Sequence, residues 1–241
     1  MTRQSLVPLG KPLTFLVIGA LAAIFAVTFA LPAFAQEQQV TFSDLANHFA
    51  EEPAIKRMVS QGIMTAVTPG RFDPDGATTR ATFAVALHKM FGPAKPTQAI
   101  TTSPPDLSET DPAHAAVLAT APFMNRQILC MGCLLSKNFF PNEPISRAES
   151  IIALVRALVA AKRLQFVSRS YAENILSSVT DSSDFPKRAK SYLATAVANG
   201  IVQLRPDHTT GPSANPTRAE TAVLLDNVQK RFEMTPVKSN P

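Results

Sequence analysis

Apolar residues recur along this chain at helical spacing, in paired stretches separated by loops that carry Gly or Pro, and the pairs repeat. After Arg80 they fall at Ala81, Ala84, Val85, Leu87 and Phe91; after Arg147 at Ala148, Ile151, Ile152, Leu154 and Leu158; after Arg218 at Ala219, Ala222, Val223 and Leu225. Residues three and four apart share one face of a helix, so each stretch predicts an amphipathic helix, and the common register predicts copies of one unit. A further helical stretch lies upstream, for instance at Ile55, Met58 and Val59 in the first unit and at Tyr192, Leu193, Ala196 and Val197 in the third. No alternating strand pattern of useful length is visible. The reading is an all-α fold of three tandem helix-loop-helix repeats, packed together because one helical pair cannot bury its apolar faces alone.

Fixed spacings support the repeat. A Pro stands six residues before an Arg three times: Pro74 and Arg80, Pro141 and Arg147, Pro212 and Arg218. Gly62-Ile63 and Gly200-Ile201 each lie twelve residues before their Pro, counted from the Gly. Each unit also opens on a short segment with an Asp, at Asp44, Asp106 and Asp181. These boundaries divide the chain into repeat one at 41–92, a Pro/Thr-rich linker at 93–104, repeat two at 105–160, repeat three at 179–232 and a disordered tail at 233–241. Residues 161–178 join the second and third repeats, and their Leu164, Phe166, Val167, Tyr171, Ile175 and Leu176 predict a connecting helix.

The first residues have a different pattern. Arg3 and Lys11 precede a charge-free apolar run that ends in Ala33-Phe34-Ala35, and no further charge comes before Glu37. A basic segment, an apolar segment and a small-x-small site in that order make 1–35 a cleavable export signal, and the rival reading is an uncleaved membrane anchor. Losing Arg3 and Lys11 lowers the formal net charge of +5 by two and leaves no concentrated Lys/Arg stripe, which argues against nucleic acid as a partner. An exported address places the protein in the cell envelope, either the cell wall or, in a diderm, the periplasm and outer membrane.

The chemistry of the repeats centres on their second helices. Ser146 with Glu149, and Thr217 with Glu220, have the spacing of a capping box, and Thr79 stands at the same place in the first unit. That accounts for the hydroxyl and the carboxylate but not for the Arg between them. A cation at a helix start opposes the dipole by roughly 0.3 to 1 kcal/mol. Arg80, Arg147 and Arg218 therefore predict an anion nearby, either a protein carboxylate or a ligand. Asp44, Asp106 and Asp181 are candidates to support a ligand, although the commoner role of an Asp before a helix is to cap it.

These landmarks resemble the S-layer homology repeat. Phe42-Ser43-Asp44, Asn47-His48-Phe49-Ala50, Gly62-Ile63, Phe72-Asp73-Pro74 and Thr79-Arg80-Ala81 are similar to its successive motifs, and Pro141 to Glu149 is similar to its signature end. The resemblance implies a pseudo-threefold helical body whose grooves between repeats hold a pyruvylated, peptidoglycan-linked wall polysaccharide, with Arg80, Arg147 and Arg218 engaging the glycan carboxylate. A planar carboxylate suits the guanidinium fork, which offers two parallel hydrogen bonds. There are departures. Thr82 replaces the motif Glu in the first repeat, Phe49 replaces the usual Trp, Ile128-Leu129 stands where Gly-Ile is expected, and Arg205 to Gly211 stretches the third loop.

Cys130 and Cys133 form the chain's one Cys-x-x-Cys pair, with no second pair for zinc and no βαβ pattern for redox work, and read as a local disulfide or two buried thiols. His48, His88, His114 and His208 show no metal-binding spacing, and no phosphate loop or nucleophile elbow occurs. The expectation is a non-catalytic binding module without cofactor or metal, whose partners are the wall polysaccharide and other envelope proteins. The alternative is an exported protein-interaction scaffold of the envelope that has lost glycan binding. A mature chain beginning near Gln36 is expected in the native envelope; mass spectrometry that recovers peptides from Leu13 to Ala35 still attached would favour the anchor instead.

Overall fold

A computed structural model describes residues 41–92, 103–125 and 137–234. The leader at 1–35, the Cys130/Cys133 loop and most of the Pro/Thr-rich linker lie outside them. The described residues form seven α-helices and, apart from three isolated bridges, no strand. The helices are α1 (Glu52–Ser60), α2 (Arg80–Phe91), α3 (His114–Thr120), α4 (Arg147–Ala160), α5 (Arg169–Ser177), α6 (Lys190–Ala198) and α7 (Arg218–Arg231). Pairs α1/α2, α3/α4 and α6/α7 belong to repeats one, two and three, and α5 is the connecting helix. None of the described helices is long and apolar enough to cross a membrane.

The Gly-Ile landmarks end the first helices of two units. Past α1, Gly62 takes φ 68° and donates to the Val59 carbonyl while Ile63 donates to Met58; past α6, Gly200 takes φ 64° and donates to Val197 while Ile201 donates to Ala196. This is a Schellman closure, which needs the left-handed conformation that glycine adopts without strain. The residue after each Gly turns inward, and Ile63 and Ile201 are both buried.

The second helices start against another unit. At α2, the N–H groups of Arg80 and Ala81 donate to the carbonyls of Glu143 and Pro141 in repeat two. At α4, those of Arg147 and Ala148 donate to Ala214 and Pro212 in repeat three. At α7, those of Arg218 and Ala219 donate to Gly76 and Pro74 in repeat one, which closes the circuit. Helix packing follows the same order: α3 lies on α2, α6 on α4 and α1 on α7.

Phe72, Phe83, Ile145, Leu154 and Leu193 are fully buried in one continuous apolar core drawn from all three units. Polar contacts also cross it. Thr78 and Thr221 hydroxyls meet at 2.8 Å, and Asp226 of α7, nearly inaccessible, accepts from Nε and Nη2 of Arg57 on α1 and lies 2.7 Å from Lys230. Met234, at the start of the expected tail, is buried, its N–H bonded to the Gln229 carbonyl past the end of α7.

Candidate functional site

Each of the three Arg is the first residue of its helix, α2, α4 or α7. The hydroxyls behind them cap as expected. Thr79 accepts from the Thr82 N–H, and Ser146 with Glu149 and Thr217 with Glu220 form complete capping boxes.

The structure shows that Arg80 and Arg218 are core residues, 3% and 7% exposed. Arg80 donates from Nε to the Phe139 carbonyl at 2.8 Å, from Nη2 to the Met124 carbonyl at 3.3 Å and from Nη1 to Glu149 Oε1 at 2.7 Å, with its guanidinium 4.8 Å from the Phe139 ring centre. Arg218 repeats the first two contacts, donating from Nε to the Phe72 carbonyl at 2.8 Å and from Nη2 to Thr65 at 2.5 Å, over the Phe72 ring at 4.6 Å. Burial holds the Arg218 guanidinium below its usual value, and the nearby charges of Asp73 and Asp44 act in the opposite sense. Arg147 is more open, with 20% of its side chain accessible and its Nη1 3.4 Å from Glu220 Oε1. Thr210 occupies the place that Phe72 and Phe139 hold in the other loops, so that position offers Arg147 no aromatic ring.

The anion beside two of these Arg is therefore a protein carboxylate from the next unit. Glu149 Oε1 meets Arg80 while its Oε2 accepts from the Ser146 N–H at 2.8 Å. Glu220 does likewise, with Oε1 toward Arg147 and Oε2 accepting from the Thr217 N–H at 3.0 Å. The capping glutamate thus also joins two repeats.

The three Asp are not helix caps. Asp44 accepts from the N–H groups of Phe72 and Asp73, Asp106 from those of Phe139 and Phe140, and Asp181 from those of Thr210 and Gly211. Each clasps its own unit's loop just before the Pro, where the preceding residue is left-handed: Asp73 at φ 60°, Phe140 at φ 59° and Gly211 at φ 64°. Such a backbone is uncommon for a residue with a Cβ. The two charge-assisted hydrogen bonds that the Asp accepts hold it, and in the first two units that turn points the Phe carbonyl at the Arg. Their partners lie about thirty residues downstream, out of reach of a local reading of the sequence. Burial works to raise the Asp44 carboxyl, but the N–H donors of Asp73 and Phe72, helped by Arg71, outweigh it and hold the group below the usual carboxylate value.

His48 lies between two carboxylates, 3.4 Å from Asp75 and 3.8 Å from Glu51, and beside it Phe49 is 76% exposed. No cluster of three or more metal-ligating side chains occurs among the described residues.

Two predictions follow from burial. Arg80→Ala strands Glu149 in a nearly closed site and is expected to cost about 3 to 5 kcal/mol. Arg147→Ala loses a looser pair and is expected to cost under about 1 kcal/mol; urea denaturation followed by circular dichroism measures both. Asp44→Asn is expected to lose about 1 kcal/mol at neutral pH. A carboxyl depressed on folding contributes its stability above the unfolded value and loses it as pH falls through the folded one. The gap between parent and Asp44→Asn should therefore shrink as the solution is acidified below the carboxylate range.

Comparison with known proteins agrees with this geometry. The family model of the S-layer homology domain matches residues 41–84 and 180–222, the first unit through the start of α2 and the third through the start of α7. The chain is 26% identical over 204 residues, 83% of its length, to an amylopullulanase of Thermoanaerobacterium thermosulfurigenes. It is also 26% identical over 195 residues, 80% of its length, to the exoglucanase XynX of Acetivibrio thermocellus. It spans only 10% and 17% of the lengths of those two relatives. Two of the units are thus matched by the S-layer homology domain model, and the middle unit carries the same Asp clasp, loop and capped Arg helix.

Proposed function

We propose that this protein is a non-catalytic, exported cell-envelope module that attaches non-covalently to an acidic, pyruvylated wall polysaccharide linked to peptidoglycan, through the seams between its repeats. One observation carries this reading: the motif Arg stands where a carboxylate docks between two units. In the seam of Arg80 the docked group is Glu149, which shows what chemistry the position accepts. A pyruvate ketal presents the same planar group, and a guanidinium binds it with two parallel hydrogen bonds where an ammonium offers only a point charge. The small share of the two relatives that the chain covers supports a binding module rather than a catalyst.

The scaffold reading draws its support from the same contacts, since Arg80 and Arg147 already have protein partners. The two readings part in a co-sedimentation assay with purified sacculi. Binding is expected to fall severalfold or more after mild acid removes ketal-linked pyruvate. Equal binding to treated and untreated sacculi would set the glycan aside and leave an envelope scaffold with protein partners.

A further inference from the structure

The segment that joins the second and third units takes no part in the circuit of seams. The backbone bonds that tie one unit to the next run through residues 74–81, 141–148 and 212–219, and none uses 161–178. Yet this segment carries two of the large apolar side chains that the fold leaves outside: Phe166 is 44% exposed and Tyr171 50%. Both stand on anchored backbone. The Phe166 ring meets Tyr192 of α6 at 5.0 Å between centres and 89° between planes, and the Val167 N–H donates to the Thr195 hydroxyl. Tyr171 lies in the first turn of α5, its N–H donating to the Ser168 cap, and the next residue, Ala172, is buried where α5 packs along α6.

The charge of this part of the chain is mostly of one sign. Between 161 and 192 there are six basic residues, Lys162, Arg163, Arg169, Lys187, Arg188 and Lys190, and three acidic ones. Two of those acids are committed, Glu173 to Arg169 at 3.0 Å and Asp181 to the N–H groups of Thr210 and Gly211, which leaves Asp184. The remaining described residues hold twelve basic against fourteen acidic, so the excess positive charge is concentrated here. Lys162, Lys187 and Arg188 are exposed and make no ion pair among the described residues. Lys187 and Arg188 stand in the turn that leads into α6, so the contact of Phe166 with Tyr192 brings both basic stretches to one edge of the molecule.

Charge complementarity calls for an anionic partner, and the rings decide its kind. A soluble anion would take the cations and leave Phe166, which has no polar tip, in water. An acidic bilayer takes both, because aromatic side chains settle at the headgroup level while Lys and Arg face the anionic lipid. We propose that residues 161–192 form a peripheral contact with an acidic phospholipid surface, in which Phe166 and Tyr171 enter the headgroup layer and Lys162, Lys187 and Arg188 face its phosphates. The exported address puts such a surface within reach. The contact is separate from the seams, so attachment to lipid and attachment to the wall are independent properties.

The chain has no Trp, so a single introduced one reports on its own surroundings. Phe166→Trp is compared with Phe49→Trp, at an exposed ring of the first unit, on vesicles of phosphatidylcholine alone and of phosphatidylcholine with phosphatidylglycerol. With phosphatidylglycerol present, the Phe166→Trp emission is expected to move to shorter wavelength and to be quenched by brominated acyl chains; with phosphatidylcholine alone it is expected to stay put. The Phe49→Trp emission is expected to change on neither. Adding Lys187→Glu and Arg188→Glu to the Phe166→Trp chain is expected to weaken vesicle binding by about tenfold or more while its circular dichroism is unchanged. No shift for Phe166→Trp, an equal shift at both positions, or full binding by the charge-reversed chain would overturn the proposal. A shift given by soluble dextran sulfate and not by the vesicles would overturn it too, and make the partner an anionic polymer.

Discussion

A helix begins with N–H groups that its own backbone cannot satisfy, and in this protein the first two of each second helix find their acceptors in another repeat. The N–H groups of Arg80 and Ala81, Arg147 and Ala148, and Arg218 and Ala219 all bond to carbonyls of a different unit, in a circuit that returns to its start. Everything else depends on that arrangement. The loop that offers those carbonyls has to be held in a left-handed turn, which is the work of Asp44, Asp106 and Asp181. In the first and second units the turn that presents the Pro carbonyl also presents the carbonyl of the Phe two residues before it, and Arg218 and Arg80 are held there.

The role of the Arg follows from this. A guanidinium under a helix start would be unfavourable alone, but here it is surrounded by carbonyl oxygens, an aromatic face and, in one closed seam, a carboxylate at 2.7 Å. Three donors are used on three acceptors in different directions, which a lysine could not reproduce. The pairing is also economical, because one glutamate both caps a helix and joins two units. Thr82 separates these two duties: capping at Thr79 survives through the hydroxyl and the N–H of Thr82, and only the joining charge is lost.

What could be read from the sequence was whatever a helix encodes locally. The three Arg at first helical positions and the capping boxes at Ser146 and Thr217 are set by residues close in sequence and are found as expected, and the Gly62 and Gly200 closures are equally local. What escaped depends on distance along the chain. Asp44 looked like a cap because its true partners, Phe72 and Asp73, are 28 and 29 positions away. The burial of Arg218 could not be read locally, because the carbonyl it donates to belongs to Phe72, 146 positions earlier. Likewise nothing near Asp226 announces that Arg57 of α1 will reach it. The substitution at Thr82 was visible at once, yet its meaning requires knowing that the missing acid would have faced another repeat.

The circuit also changes what a repeat is. The stretch of chain that recurs in the sequence is not the piece that can stand by itself, since each recurrence carries a helix whose first turn is completed elsewhere. Covalent connection between units then acts mainly by keeping their local concentration high, and recognition is done by the loop-to-helix contacts themselves. Three such units on separate polypeptides would present one another with the same complementary ends. The fold is in that sense a trimeric assembly written on a single chain, with one joint differing from the other two.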